Sequence, residues 1–155
     1  MPPLVGRHVN KVDRKGRVSV PKPFRDVLKG EDASFAGIYA YPLFNAPAIE
    51  ACGEGFMRRV AESIDDLDMF SERQDDLASV LLEHAHALPF DPEGRVVLPE
   101  ELLVHAGIDA EAVFVGRGAR FQIWSPAAYE PRRKTAFERA RTSGTTLRLR
   151  REGET

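Results

Sequence analysis

Cysteine is almost absent from this chain, with Cys52 the only one among 155 residues. That excludes an intrachain disulfide and suits a reducing compartment. No apolar run approaches the ~18 residues that a membrane-spanning helix needs. The opening stretch, Met1 to Arg7, lacks the apolar core of a secretory signal, so the expected location is the cytoplasm. The signatures Gly-x-Gly-x-x-Gly, Walker A and Gly-x-Ser-x-Gly do not occur. His84 and His86 flank Ala85 beside Glu83, but with His8 and His105 they form no set with zinc spacing. No metal or other cofactor is expected, and no group of residues argues for an enzyme.

What is present is enough for a packed core: 43% of residues are apolar and 30% are charged. The formal net charge of -2 conceals a segregated distribution. Residues 1–30 carry eight Lys or Arg against Asp13 and Asp26, a net +6. Residues 31–101 carry sixteen acids and four Arg, a net -12, and residues 132–155 return to +5. Attraction to a polyanion follows the local field and not the sum. A basic head, an acidic middle and a basic tail therefore remain compatible with nucleic-acid binding.

The most informative feature is an internal duplication. The stretch from His8 to Pro21 aligns without gaps on that from His86 to Pro99, sharing the skeleton Asp-x-x-Gly-Arg-Val-x-apolar-Pro at an offset of 78 residues. Two copies of this length indicate a pair of pseudo-symmetric halves and not a solenoid. Within each copy, Asp13 and Gly16, or Asp91 and Gly94, occupy the first and fourth places of a turn between two apolar runs. Aspartate there accepts backbone N–H bonds and glycine accepts a left-handed backbone, which predicts a hairpin closed by a type I turn and a glycine bulge. Pro21 and Pro99 end the second strand and suit the first turn of a helix. Phe24, Val27 and Leu28 supply that helix's apolar face in the first copy, and Leu102, Leu103 and Ala106 in the second. Each copy then reaches an apolar run with an aromatic, Ile38 to Pro42 and Phe121 to Ser125, which puts Tyr41 and Trp124 in matching places. Ala112 to Gly116 and Gly118 to Trp124 read as a hairpin. Between the copies, 46–64 and 71–87 read as helices. A last helix is expected from Arg132 to Ala140, with a disordered tail beyond Thr142.

The first turn is the strongest functional candidate. Arg14, Lys15 and Arg17 put three cations within four residues on a rigid hairpin, able to reach phosphates or a groove floor, and an arginine can bond guanine O6 and N7 with two parallel donors. A structural role is open beside it, in which Asp13 pairs with Arg17 and Gly16 only closes the turn. The second turn replaces Arg14 and Lys15 by Pro92 and Glu93, so Arg95 ranks with Lys11 and Arg7 as a secondary contact. The tail cations suit either phosphate affinity or a solvated surface. Cys52 reads as an inert thiol.

The tandem Asp13 to Arg25 and Asp91 to Leu103, followed by Ile123-Trp-Ser125, resembles the two halves of the MraZ family, within the AbrB/SpoVT-like superfamily of transcriptional regulators, over roughly residues 5–140. The resemblance implies a mainly β fold with flanking helices, α+β in class. In that fold two AbrB-like swapped-hairpin half-barrel repeats form one pseudo-symmetric domain with helices outside. The divisions expected are 5–45 for the first repeat, 46–85 for a helical acidic spacer, 86–130 for the second repeat and 131–155 for a basic helix and tail. The resemblance also implies sequence-specific binding to double-stranded DNA, at direct repeats upstream of the division and cell-wall gene cluster including the chain's own gene. A ring-shaped homo-oligomer, located in the cytoplasm on the nucleoid, belongs to the same implication. The family's DNA-contacting turn falls on Asp13, Arg14, Lys15, Gly16 and Arg17, with Arg17 leading. Two alternatives stand beside this: an AbrB-type antitoxin that also binds a toxin, which usually carries one motif copy, and a small barrel enzyme with convergent titratable groups.

Overall fold

The computed structural model describes residues 1–30 and 34–153. Residues 31–33, within the first repeat, and the last two residues of the expected tail lie outside that description. The first copy supplies β1 (Arg7–Lys11), β2 (Arg17–Ser19), α1 (Lys22–Lys29), β3 (Gly37–Pro42) and β4 (Ile49–Cys52). Two helices come next, α2 (Glu54–Asp65) and α3 (Glu72–Leu77), the second running into a π-helical segment, Ala78–Glu83. The second copy supplies β5 (His86–Pro89), β6 (Arg95–Val97), α4 (Glu100–Ala106), β7 (Glu111–Gly116) and β8 (Phe121–Trp124), and α5 (Pro126–Thr142) ends the ordered elements. The class is mainly β with flanking helices, as the sequence indicates. No helix among the described residues is long and apolar enough to cross a membrane.

All strand pairs are antiparallel. The larger sheet is open and runs β1-β7-β8-β4-β3-β5, and β2 pairs with β6 in a separate two-stranded ribbon. The two turn hairpins thus bond mainly to the opposite copy: β1 to β7, β5 to β3 and β2 to β6. Within the first hairpin only the Val12–Val18 bridge is formed. The register is symmetric about two points. In the ribbon Val18 faces Val96, its counterpart at an offset of 78, with Arg17 facing Val97 and Ser19 facing Arg95 on either side. In the sheet Glu50 faces Gln122, with Ile49 opposite Ile123 and Ala51 opposite Phe121. A pseudo-twofold axis therefore passes through the Val18–Val96 and Glu50–Gln122 pairs.

Four expectations are corrected, the first by that register. Ala40 faces His86 as Phe114 faces His8, so β3 is the counterpart of β7 and β4 that of β8. Tyr41 then matches Val115, and Trp124 matches Cys52; the two aromatics do not correspond. The expected helix over 46–64 opens instead with β4, because Ile49, Glu50, Ala51 and Cys52 are all buried between β3 and β8. Tertiary pairing overrides the helical propensity of Glu and Ala in so short a run. The helix expected to reach residue 87 gives way to β5 at His86, and the last helix starts earlier, at Pro126, where Ser125 caps it by accepting the Ala128 N–H at 3.1 Å.

The core lies between the larger sheet, the ribbon and helices α1 and α4. Val18, Val20, Val96 and Leu98 point inward from the ribbon and meet Phe24, Leu28, Leu102 and Ala106 from the helices. Phe24 packs on Phe121 with centroids 5.1 Å apart, and His8 meets its edge at 5.4 Å. The expected helix faces are borne out: Phe24 and Leu28 are buried with Val27 against them, as are Leu102 and Ala106 with Leu103. Pro21 and Pro99 stand at the N-cap, one residue before each helix.

One buried charge sits on the pseudo-axis. Glu50, 7% exposed, accepts the Tyr41 hydroxyl at 2.9 Å and Arg120 Nε at 2.7 Å. Burial first, and then the adjacent Glu50 carboxylate, hold the Tyr41 phenol well above its ordinary range, so it stays a donor. Across the axis Gln122 accepts the Trp124 indole N–H at 3.0 Å. Glu50 and Gln122 both have hydrogen-bond partners, as a low-dielectric site requires.

Candidate nucleic-acid interface

The ribbon's pleat decides what faces outward. Side chains alternate along a strand, and directly opposed residues share a face. With Val18 and Val96 buried, Arg17, Ser19, Arg95 and Val97 all project to the other side. Val97 is 53% exposed there. Arg17 and Arg95 are diagonal neighbours across the ribbon, about 7–8 Å apart by ordinary sheet geometry. The ribbon also joins the two turns. Leu98 N–H donates to the Gly16 carbonyl at 2.9 Å, and Val20 N–H donates to that of Gly94 at 3.2 Å. One turn therefore stands at each end of a short, two-stranded, outward-facing surface.

Each turn is locked in the same way. Asp13 Oδ1 accepts the Lys15 and Arg17 N–H groups, both at 2.9 Å, and Oδ2 accepts Arg17 Nε at 2.6 Å. Asp91 Oδ1 accepts the Glu93 and Arg95 N–H groups at 2.9 Å, and Oδ2 accepts Arg95 Nε at 2.7 Å. Gly16 and Gly94 donate back to the carbonyls of Asp13 and Asp91 at 3.0 Å from left-handed backbones, φ 82° and 79°. A Cβ on Gly16 would lie 2.7 Å from the Leu98 carbonyl oxygen, so the residue is required by space as well as by φ. The Arg17 backbone N–H holds the Asp13 carboxyl below its ordinary range, reinforced by the Arg17 side chain and the Lys15 N–H. Arg95 does the same for Asp91, and the Asp91 carboxylate in turn raises Arg95.

The structural role of the first turn is visible in its geometry. The carboxylate takes Arg17 Nε and fixes the guanidinium plane, while the terminal nitrogens have no protein acceptor among the described residues. Arg17 thus presents oriented donors with its charge largely offset. Arg14 and Lys15 are exposed and have no ion-pair partner among the described residues, so they supply the turn's free charge. Arg95 lies on the same face as Arg17 but is shared with Asp91 and, at 3.6 Å, with Glu93. Arg7 and Lys11 are not brought to the ribbon. They project from β1 of the larger sheet, where Lys11 faces Glu111.

One cation escaped the sequence reading. Arg25 on α1 donates from Nε to the Val20 carbonyl at 2.9 Å, and its guanidinium covers Gly94, where a Cβ would meet it at 2.5 Å. Its counterpart at the 78-residue offset is Leu103, whose side chain lies 3.5 Å from the corresponding point at Gly16. A cation in one copy where the other has a leucine was the available signal. Arg25 restores positive charge to the turn that lost Arg14 and Lys15. Of the two histidines, His84 Nδ1 lies 2.8 Å from the Ser79 carbonyl, whereas the buried His86 Nε2 lies 3.6 Å from Glu101 and has no hydrogen-bond partner among the described residues.

A family model described as "MraZ protein, putative antitoxin-like" matches residues 81–149, which hold the second copy and most of the C-terminal segment. A protein described as "Transcriptional regulator MraZ" from Rickettsia akari (strain Hartford) is 41% identical over 145 residues, covering 94% of this chain and 96% of the relative. Its namesake from Pelagibacter ubique (strain HTCC1062) is 42% identical over 145 residues, 94% of this chain and 92% of the relative. That from Parvibaculum lavamentivorans reaches 50% over 125 residues, 80% of this chain and 76% of the relative. With relatives 41–42% identical over 94% of its length, the chain belongs to the MraZ family.

Proposed function

We propose that this protein is a sequence-specific DNA-binding transcriptional regulator that reads double-stranded DNA with the outer face of its β2–β6 ribbon. The observation that carries the reading is the shared face itself: two aspartate-locked turns at the ends of one ribbon, with Arg17 and Arg95 between them and Arg14 and Lys15 unpaired at one tip. The major groove of B-DNA admits a two-stranded β-ribbon. Asp13 and Gly16 set the turn, Arg17 reads a base edge or clamps a phosphate, and Arg14 and Lys15 hold backbone phosphates on either side. Arg95 and Arg25 extend the contact at the far end. Arg7 and Lys11 remain peripheral to it.

The targets we assign are direct repeats upstream of the division and cell-wall gene cluster, including the chain's own gene. A ring of identical subunits suits such repeats, since each bound ribbon raises the effective concentration of the next. The site of action is the cytoplasm, on the nucleoid. The duplicated motif favours this reading over an antitoxin with a single copy and a toxin-wrapping tail. The test is a gel-shift titration of DNA from upstream of the chain's own gene. Arg17→Ala weakens binding by about tenfold or more, the worth of one good bidentate contact, with the fold and oligomer size unchanged. Unaltered affinity would remove Arg17 from the interface.

A further inference from the structure

The ribbon leaves unexplained a second concentration of arginine on the opposite copy's C-terminal side. A cleft of about 240 Å³ lies between the β7–β8 hairpin and α5. Trp124, Tyr129 and Phe137 contribute its aromatic surface, and Arg117, Arg132 and Arg139 line it. Among the described residues none of these three guanidinium groups has a carboxylate within ion-pair distance. Of the two acids on α5, Glu130 is committed to Arg133 at 2.6 Å, and Glu138 forms no ion pair among the described residues. Three cations therefore line one cleft without a carboxylate partner, an arrangement that surface packing does not require.

The aromatic side is equally specific. Arg132 lies over the Trp124 ring at 5.3 Å and Arg133 over Phe137 at 5.9 Å, both within cation–π range. Phe137 is nevertheless 62% exposed, and α5 buries no residue against the body. A large exposed ring beside unpaired arginines is a platform for a planar, anionic group. Gln122, at the floor, has its carboxamide oxygen taken by Trp124, which leaves its NH₂ as a donor.

We infer that this cleft is a binding site for a small phosphorylated ligand carrying a planar ring, a nucleoside mono- or diphosphate by class. The phosphate engages Arg117, Arg132 and Arg139, and the base stacks on Phe137 beside Tyr129. The volume lies just below the ~300 Å³ at which drug-sized sites begin, so a mononucleotide fits with one end in solvent. The assignment stands independently of the ribbon's role.

The test is calorimetric titration of the full chain at fixed ionic strength with ADP, inorganic phosphate and adenosine. Emission from Trp124, the chain's single tryptophan, is followed in parallel. ADP binds saturably and shifts the Trp124 emission, phosphate binds more weakly at the same site, and adenosine alone does not bind. Arg117→Ala and Arg139→Ala each weaken ADP about tenfold, with melting temperature unchanged because both side chains are exposed, and Arg17→Ala leaves ADP binding intact. The proposal is overturned by the absence of saturable binding at millimolar ADP, by affinity that survives in both variants, or by adenosine binding as tightly as ADP. It is overturned equally if the variants lose only duplex affinity, which assigns these arginines to the DNA backbone.

Discussion

Adding a single methyl group to each turn glycine tests whether the two ends of the ribbon are held by different neighbours. In Gly16→Ala and Gly94→Ala the dihedral cost is the same, about 1–2 kcal/mol for a left-handed alanine, since φ is 82° and 79°. The added carbon at 16 meets the Leu98 carbonyl oxygen at 2.7 Å, a backbone atom in the partner strand, and displaces the Leu98 N–H bond to Gly16. Losing that bond adds ~1 kcal/mol, for a total of about 2–3 kcal/mol. At 94 the new carbon meets the end of the Arg25 side chain, which can swing away at the expense of its bond to the Val20 carbonyl, again ~1 kcal/mol. The difference emerges in an Arg25→Ala background. There Gly94→Ala keeps only its dihedral cost and becomes about 1 kcal/mol milder, while Gly16→Ala is unchanged. Thermal unfolding followed by circular dichroism, at one protein concentration, reads this as a drop of about 5–10 °C for Gly16→Ala and a shift of ~2–4 °C between the two Gly94→Ala backgrounds. Equal costs for Gly94→Ala with and without Arg25 would refute the assignment of Arg25 to the second turn.

The same contacts set further expectations. Glu50→Ala removes the acceptor shared by Tyr41 and Arg120 and should destabilise by about 3 kcal/mol, the range for breaking a buried pair; urea unfolding with a change below ~1 kcal/mol would argue against the network. Asp13 and Asp91 titrate below their ordinary value of 3.8 in the folded chain. Their contribution to stability is therefore fully present above that value and lost as pH falls through the lowered ones. The acid limb of melting temperature against pH should flatten in the Asp13→Asn, Asp91→Asn double variant, and an unchanged limb would contradict it. For DNA binding, Arg14→Ala and Lys15→Ala should each weaken affinity evenly across sequences and reduce the slope of log K against log salt by about 1. A slope that does not move would place both side chains off the phosphates.

The locked turn was legible from residue types, because Asp and Gly at fixed places have local mechanisms that need no partner. The helix faces around Phe24 and Leu102 were legible for the same reason, through spacing. The pairing of β2 with β6 was not, since a three-residue strand carries no mark of its partner. Only that pairing puts Arg95 on the face of Arg17. β4 was missed because Ile-Glu-Ala-Cys is too short for a period of two to show and is half made of helix formers. The matching of Tyr41 with Trp124 rested on aromatic character, whereas correspondence is decided by register, which places Trp124 opposite Val113 and Cys52 opposite Tyr39. Arg25 was passed over because its role depends on the far copy's turn.

The Glu50–Gln122 pair has a consequence for how chains keep to themselves. In a dimer of identical halves any residue on a twofold axis must face its own copy. One polypeptide holding both halves is released from that rule and can set a carboxylate against an amide. If β4 strands from two different molecules were to pair in the same register, Glu50 would meet Glu50 in a dry sheet, and two buried carboxylates side by side strongly resist joint ionisation. The same four residues that join the two halves of the sheet within one chain therefore penalise joining it between chains.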